Sequence, residues 1–324
     1  MKVRAATFAV LFIVAVSARC AGQNPQQVLD AARERGFSGV VLIARDGEVV
    51  LHEAVSKGHG IDTTTSYWIG SVTKTFTAAA ILKLEEQHRL TLTDSISRFF
   101  SDVPADKAGI TVRQLLTHTS GIGENYAADG IRDRTTAVRS ILSKALTSAP
   151  GSTYQYTNDG YNLLAAIIEI SSGKPYQQYM KEQLLEPSGL MHTTFWDDST
   201  GTKPDWGFRG ASGIKSTAAD LFRWQQALVA GKVLTPTSLE QMFSAQVQKP
   251  KGGAYGLGWQ VAKTARGTRL LAHTGAESKL HHYAALYYLP DDRVVVTMVS
   301  DADEDVAFAT LREVLRTAVE PAAK

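Results

Sequence analysis

Residues 66–86 read SYWIGSVTKTFTAAAILKLEE, and the rest of the chain is organised around them. After Gly70 comes a nearly unbroken apolar run: Phe76, Ala78, Ala79, Ala80, Ile81 and Leu82. A segment that is Ala-rich and apolar on all sides predicts a helix buried in a core, because a surface helix keeps one polar face. The helix is expected to start near Ser71. Ser71 and Lys74 then lie three residues apart in its first turn, on one face and within reach of each other. Free N–H groups at a helix N-terminus favour an anion at Ser71, and apolar surroundings weaken the charged form of Lys74. The pair is a nucleophile beside a candidate base. Taken alone, the spacing also fits a capping Ser and a solvated Lys, so the choice rests on the remainder of the chain.

The chain has 324 residues, enough for one large domain or two lobes with real cores. With 44% hydrophobic and 20% charged residues the balance is that of an ordinary globular protein. The net charge is +2 without any block of like charge, so neither nucleic acid nor an anionic membrane surface is an expected partner. Lys2 and Arg4 precede an apolar run over residues 5–18, with small residues at Val16-Ser17-Ala18 and Cys20-Ala21-Gly22. That is the make-up of a secretory signal over roughly residues 1–22, too short to span a bilayer comfortably, and it implies an exported, periplasmic or secreted protein with no transmembrane helix once mature. Cys20 is the single cysteine, so the mature part has no disulfide. Arg19 directly before it is a poor fit to a lipoprotein signal, so lipid anchoring is not expected. The eight His residues form no HExxH-like pair, and no metal site is expected; His281-His282 read as neighbours in a strand, facing opposite ways.

Strand-like runs flank Asp46-Gly47, FSGVVLIA before it and EVVLHEA after it, and make a hairpin. Residues 90–100 read as a loop and a short helix capped by Thr93 or Asp94. Thr111 caps a short helix, and His118 behind it reads as a buried histidine bonding a neighbouring loop. Tyr156-Thr157-Asn158 precedes a helix with apolar residues at 163, 164, 167, 168 and 170. In an extended loop Tyr156 and Asn158 face one cavity; the plainer alternative is a core Tyr and an N-cap Asn. Ser216 or Thr217 caps a further helix. From Ala254 the pattern turns to antiparallel strands, AYGLGWQVA, TRLLAHTGA, HHYAALYYL and RVVVTMVS, and a helix over residues 304–319 follows. Strands at both ends and helices between them imply an α/β (α+β) fold: one antiparallel sheet from the N- and C-terminal segments, flanked by helices, with a mainly helical region inserted.

Three motifs in order, SVTK with Ser71 and Lys74, YTN with Tyr156 and Asn158, and HTG with His273, Thr274 and Gly275, resemble those of serine hydrolases of the class C β-lactamase and penicillin-binding-protein type. This group includes D,D-peptidases, D-aminopeptidases and lactamase-like esterases. LLTHTSGI, LLEPSGLMHTTF, GIKSTAADL and YGLGW extend the resemblance over roughly residues 37–318. It implies a β-lactamase/transpeptidase-like hydrolase domain over residues 23–324, with a sheet lobe near 36–66 and 205–318 and a helical lobe near 67–204. It also departs from the family: after HTG most relatives carry further glycines, where this chain has Ala276-Glu277-Ser278-Lys279-Leu280.

By that resemblance Ser71 attacks a carbonyl and forms an acyl-enzyme, Lys74 and Tyr156 share the base role, and water releases the product without a cofactor. The oxyanion hole is expected from the N–H groups of Ser71 and Ala276, and substrate contacts from Asn158, His273, Thr274 and Gly275. The substrate is a small molecule or peptide with an ester, amide or β-lactam carbonyl. Where relatives of the KTG type hold a cation, His273 offers an imidazole that ordinarily gains charge only below about pH 6.5, which favours esters or neutral amides over carboxylate-bearing substrates. The competing classes are a β-lactamase or D-alanyl-D-alanine carboxypeptidase proper, and a non-hydrolytic binding protein on the same fold. N-terminal sequencing of exported protein should begin between Arg19 and Gln23; cytoplasmic material starting at Met1 would remove the signal assignment.

Overall fold

The computed structural model describes residues 24–56, 58, 60–196, 205–277 and 280–319. The expected signal segment, Cys20 and the turn residues Ser278 and Lys279 lie outside the described residues. An eight-stranded antiparallel sheet runs in the order β2-β1-β11-β10-β9-β8-β7-β6. Its centre joins β1 (Gly39–Arg45) to β11 (Val294–Ser300), so the two ends of the chain meet in one sheet. β2 (Glu48–Val55) forms one edge, while β10 (His282–Leu289) and β9 (Arg269–Glu277) continue the other side toward β8 (Gln260–Lys263), β7 (Ala254–Tyr255) and β6 (Val247–Gln248).

Both faces of the sheet are covered, which explains why β1 is apolar from Gly39 to Ala44 instead of alternating. Val40, Leu42 and Ala44 face the helical region, while Val41 and Ile43 face α1 (Pro25–Glu34) and α9 (Glu304–Val319). Helix α1 has a full sequence signature that the reading above passed over. Asn24 and Gln27 form a capping box, and Pro25 stands at its first position.

Helix α2 (Thr73–Glu86) runs through the main core, with every residue from Thr73 to Leu82 buried. Its polar residues are satisfied there: Thr77 Oγ1 donates to Gly210 O at 2.7 Å, and Trp224 Nε1 donates to Thr75 Oγ1 at 3.2 Å. Around it stand α3 (Val112–Leu116), α4 (Arg134–Leu142), α5 (Asn158–Ser172), α6 (Tyr176–Met180), α7 (Ala218–Val229) and α8 (Pro236–Phe243). A second, three-stranded sheet, β3 (Tyr67–Trp68), β5 (Ile214–Ser216) and β4 (Thr194–Phe195), leads into α2. Thr111 caps α3 through a capping box, and Thr217 is the residue that caps α7.

Several local expectations change. Residues 96–98 form a 3₁₀ turn preceded by Ser95, and Asp94 instead accepts the Thr91 N–H at 2.7 Å, closing the loop before it. The run AYGLGWQVA breaks into β7 and β8, because Gly256 N–H donates to Trp259 O at 2.7 Å and closes a turn between them. His281 has φ 52° and lies outside the strand that His282 opens.

The sheet meets the Ser71 turn at β9. A Cβ on Gly275 would lie 1.9 Å from Ile69 O, and one on Gly70 would lie 2.7 Å from Ala276 N. Backbone therefore presses on backbone there, and only glycine fits. Gly275→Ala should lower the urea midpoint by the equivalent of about 3 kcal/mol or more, since the obstacle is main chain that cannot swing aside. A midpoint within error of the unchanged protein would mean that the strand and the turn can part freely.

Candidate active site

Ser71 lies in a 3₁₀ turn, Gly70–Val72, immediately before α2. From Tyr67 to Leu82 it is the one residue that is not buried. Lys74, one turn on, is fully buried with 0% exposure, and its Nζ donates to Ser71 Oγ at 3.1 Å, Asn158 Oδ1 at 2.6 Å and Ala211 O at 3.0 Å. Those are three acceptors for the three donors of an ammonium. Burial pulls the lysine down to about 7, and the Glu124 carboxylate opposes that fall.

Tyr156 and Asn158 reach the same point from the start of α5. Thr157 holds the N-cap position without a side-chain cap bond, so Asn158 is the first helical residue and its amide is free to hold Lys74. The Tyr156 hydroxyl is hydrogen bonded to Ser71, and its ring lies 4.7 Å from Lys74 Nζ. Burial drives this phenol well above its usual range, and the bond to Ser71 acts against that rise. As an isolated group, Tyr156 is therefore a neutral donor at pH 7.

The loop between α3 and α4 supports this corner. His118 is buried with φ 58°, and its Nδ1 accepts the Thr157 N–H at 3.2 Å. Its ring lies 4.3 Å from Tyr156 and 5.0 Å from Tyr161. Burial first, then the nearby Lys74 and His273, hold its pKa well below the ordinary value. It is a neutral support for the loop that carries Tyr156.

On β9, His273 is 1% exposed and both ring nitrogens are engaged. Nδ1 donates to Thr274 O at 2.8 Å, which leaves Nε2 to accept from the Tyr255 hydroxyl at 3.1 Å. Burial first, then Lys74, lowers it to about 3. The expectation that it gains charge near pH 6 is thus corrected, and neither nitrogen is available to a substrate carboxylate. Strand parity divides the remaining motif: His273 and Gly275 pair with Leu286 and Ala284 on the main-core face, while Thr274 pairs with Ala285 on the face toward α1 and α9. Ala276 brings its main-chain nitrogen against the Ser71 turn. Strand β8 pairs with β9 only as far as Ala272, so β8 leaves the backbone edge of His273–Glu277 uncovered.

A family model for beta-lactamases matches residues 25–319. The chain belongs to the beta-lactamase family. PbpX of Bacillus subtilis (strain 168), described as a penicillin-binding protein, is 32% identical over 261 residues, covering 73% of this chain. The chain spans 65% of that protein's length. A D-stereospecific amidohydrolase from Streptomyces sp. superposes with a TM-score of 0.73 at 25% identity, covering 88% of this chain and 96% of that one. A D-amino acid amidase from Ochrobactrum anthropi SV3 superposes with a TM-score of 0.76 at 22% identity, over 90% of this chain and 96% of its own. The last likeness speaks to the fold alone. Among the described residues, no helix is long and apolar enough to cross a membrane, and no cluster of His, Cys, Asp and Glu could hold a metal ion.

The sequence reading of this family member missed Glu124. Its carboxylate accepts the Asn158 N–H, and its Oε1 is buried with no partner in hydrogen-bonding geometry. A lone Glu in the loop GIGEN carries no spacing signal, and only the fold brings it to α5. Tyr255 opens the YGLGW stretch noted above, but its bond to His273 depends on the fold.

Unfolded, His273 binds a proton below about pH 6.5; folded, it does so only near 3. Between those values the unfolded state holds more protons, so acidification destabilises the fold. His273→Gln should show a shallower loss of stability from pH 6.5 to 4 than the unchanged protein, as read by urea unfolding at each pH. Equal slopes would mean that His273 titrates normally.

Proposed function

We propose that the protein is an exported serine hydrolase in which Ser71 is acylated by an ester, amide or β-lactam carbonyl and then released by water. The observation that carries this reading is the buried Lys74 Nζ, hydrogen bonded to Ser71 Oγ at 3.1 Å and lowered to about 7. An ordinary surface lysine holds its proton far above neutral pH. Here an appreciable share of amine exists at pH 7, beside a hydroxyl that needs a base.

In the first step the Ser71 proton passes to the Lys74–Tyr156 pair while Oγ bonds to the carbonyl carbon. The negative charge that develops on the carbonyl oxygen falls between the N–H groups of Ser71 and Ala276. Each such donor is worth about 3–4 kcal/mol in acyl-transfer enzymes. Tyr156, bonded to Ser71, then hands a proton to the leaving group, and a charged Lys74 beside it favours the phenolate form between transfers. Asn158 fixes Lys74 and offers its amide to the substrate. Along β9 the substrate is held by main chain at Gly275 and Ala276, since His273 is occupied and Thr274 faces the other side. No cofactor enters this scheme.

Neutral His273 leaves no cation at the motif position, which favours esters and neutral amides, including amides of D-amino acids, over carboxylate-bearing β-lactams. The non-hydrolytic alternative lacks a specific observation in its favour, since Ser71, Lys74 and Tyr156 stand together at one point.

Ser71→Ala should abolish turnover of p-nitrophenyl esters and D-amino-acid amides, and also the mass gain with a fluorophosphonate probe, while leaving the unfolding midpoint close to unchanged. Retained hydrolysis would remove Ser71 as the nucleophile. Tyr156→Phe should lower kcat by about 10²–10⁴-fold with little change in KM, the range for a general acid–base group. A loss below tenfold would reduce Tyr156 to a packing residue.

A further inference from the structure

We propose that Glu124 is the counter-charge of Lys74, the two titrating as one unit across Asn158, so that Glu124 is a positioning residue that sets the charge state of the amine beside Ser71. The catalytic consequence rests on the reading of Ser71 as nucleophile; the pairing itself does not.

The geometry begins with the three acceptors of Lys74. All of them, Ser71 Oγ, Asn158 Oδ1 and Ala211 O, are formally neutral. A fully buried cation without a compensating charge is strongly disfavoured. Asn158 accepts from Lys74 through Oδ1 and donates its main-chain N–H to the Glu124 carboxylate, so a single residue bridges the two charges. That N–H belongs to the first turn of α5, where the helix favours a negative charge. The second oxygen, Oε1, is buried without a partner in hydrogen-bonding geometry, and the Tyr126 main chain also favours the charged form of this carboxylate.

Among the described residues, the other groups around the pair offer no equivalent. From the strands come His273 and Tyr255, and from the α3–α4 loop His118 and Tyr126. Burial lowers both imidazoles and raises both phenols, so all four are neutral near pH 7. Tyr154 and Tyr156, ahead of α5, and Tyr161, on it, are raised in the same way. Asp159 accepts the N–H groups of Asn125 and Ala127, each at 3.2 Å, and Lys144 balances it; toward Glu124 it acts as a like charge. Lys249 is felt at His273. Burial raises Glu124 to about 7, the same level as Lys74, and Lys74 acts against that rise.

Amine with carboxylic acid, and ammonium with carboxylate, carry the same net charge. The site passes between them by solvent proton exchange without importing charge, and loss of one further proton leaves amine beside carboxylate, the state in which the proton released by Ser71 enters a site that already holds its counter-ion.

The test uses the full chain labelled with [ε-13C]lysine and [δ-13C]glutamate, with the two signals assigned through Lys74→Met and Glu124→Gln. In the unchanged protein both signals should report the same macroscopic midpoints between pH 5 and 9. In Glu124→Gln, which keeps an oxygen for the Asn158 N–H, Lys74 should titrate lower by about one unit or more, because the ammonium has lost its counter-charge. Glu124→Asp keeps the charge and should remain close to the unchanged protein. The acid limb of the fluorophosphonate reaction should move to lower pH with the Gln variant. Unrelated midpoints for the two signals in the unchanged protein, or a Lys74 midpoint unmoved or raised in Glu124→Gln, would overturn the pairing. If the Gln variant fails to fold, the comparison of the two signals in the unchanged protein still decides. A Lys74 midpoint that shifts in a protein whose Ser71 takes no label would keep the pairing and discard the hydrolase reading.

Discussion

Removing the Lys74 ammonium from water is the constraint on which the rest of the structure depends. Lys74 lies in the first turn of α2, where the helix dipole disfavours a cation, and it is fully buried. Both effects work against the charged form. Opposing them are three hydrogen-bond acceptors drawn from three distant parts of the chain, the Ser71 turn, the start of α5 and the Ala211 loop. None can be moved without leaving a buried donor unpaired. The apolar sequence of α2 follows from this, because the helix that carries the lysine must itself be inside.

The second requirement is that β9 reach the Ser71 turn from the other lobe. Gly275 and Gly70 allow main chain to touch main chain, which brings the Ala276 nitrogen against the Ser71 turn. Side chains could not do this with the same rigidity. The central strands hold β9 in register through β10, and β10 is locked to β11 from Tyr283 to Leu289. Covering the sheet on both faces therefore serves the position of a few backbone atoms at its far side.

The sheet built from both chain ends, the buried helix and the Ser71–Lys74 spacing were all legible in the sequence, because period and spacing encode them directly. Tyr156 and Asn158 were legible as a pair, although the alternative of Asn158 as N-cap could only be settled by seeing Thr157 in that position. Helix α1 was legible and was passed over, since Asn24, Pro25 and Gln27 are plain start signals. Glu124 was not legible: its role depends on burial and on a contact 34 residues away along the chain. His273 shows the same gap from the other side. Its motif position was visible, but only one ring partner, Thr274, is its neighbour in sequence, and the other depends on where Tyr255 falls in the fold.

The histidines bear on the charge state of Lys74. Two imidazoles lie near the Tyr156 ring, and imidazole is the usual base at neutral pH. His118 has given Nδ1 to the Thr157 N–H, and His273 has given both nitrogens to Thr274 and Tyr255. Packed among tyrosine rings, they are polar without being charged. That keeps the effective dielectric low around Lys74 and adds no competing cation, so burial can bring an amine from its ordinary range to about 7. A histidine carrying a proton in the same space would repel the ammonium and drive Lys74 further down. The neutral imidazoles and phenols are thus the condition under which an amine can lose its proton near neutral pH beside Ser71, and a charge placed among them would be felt first at Lys74.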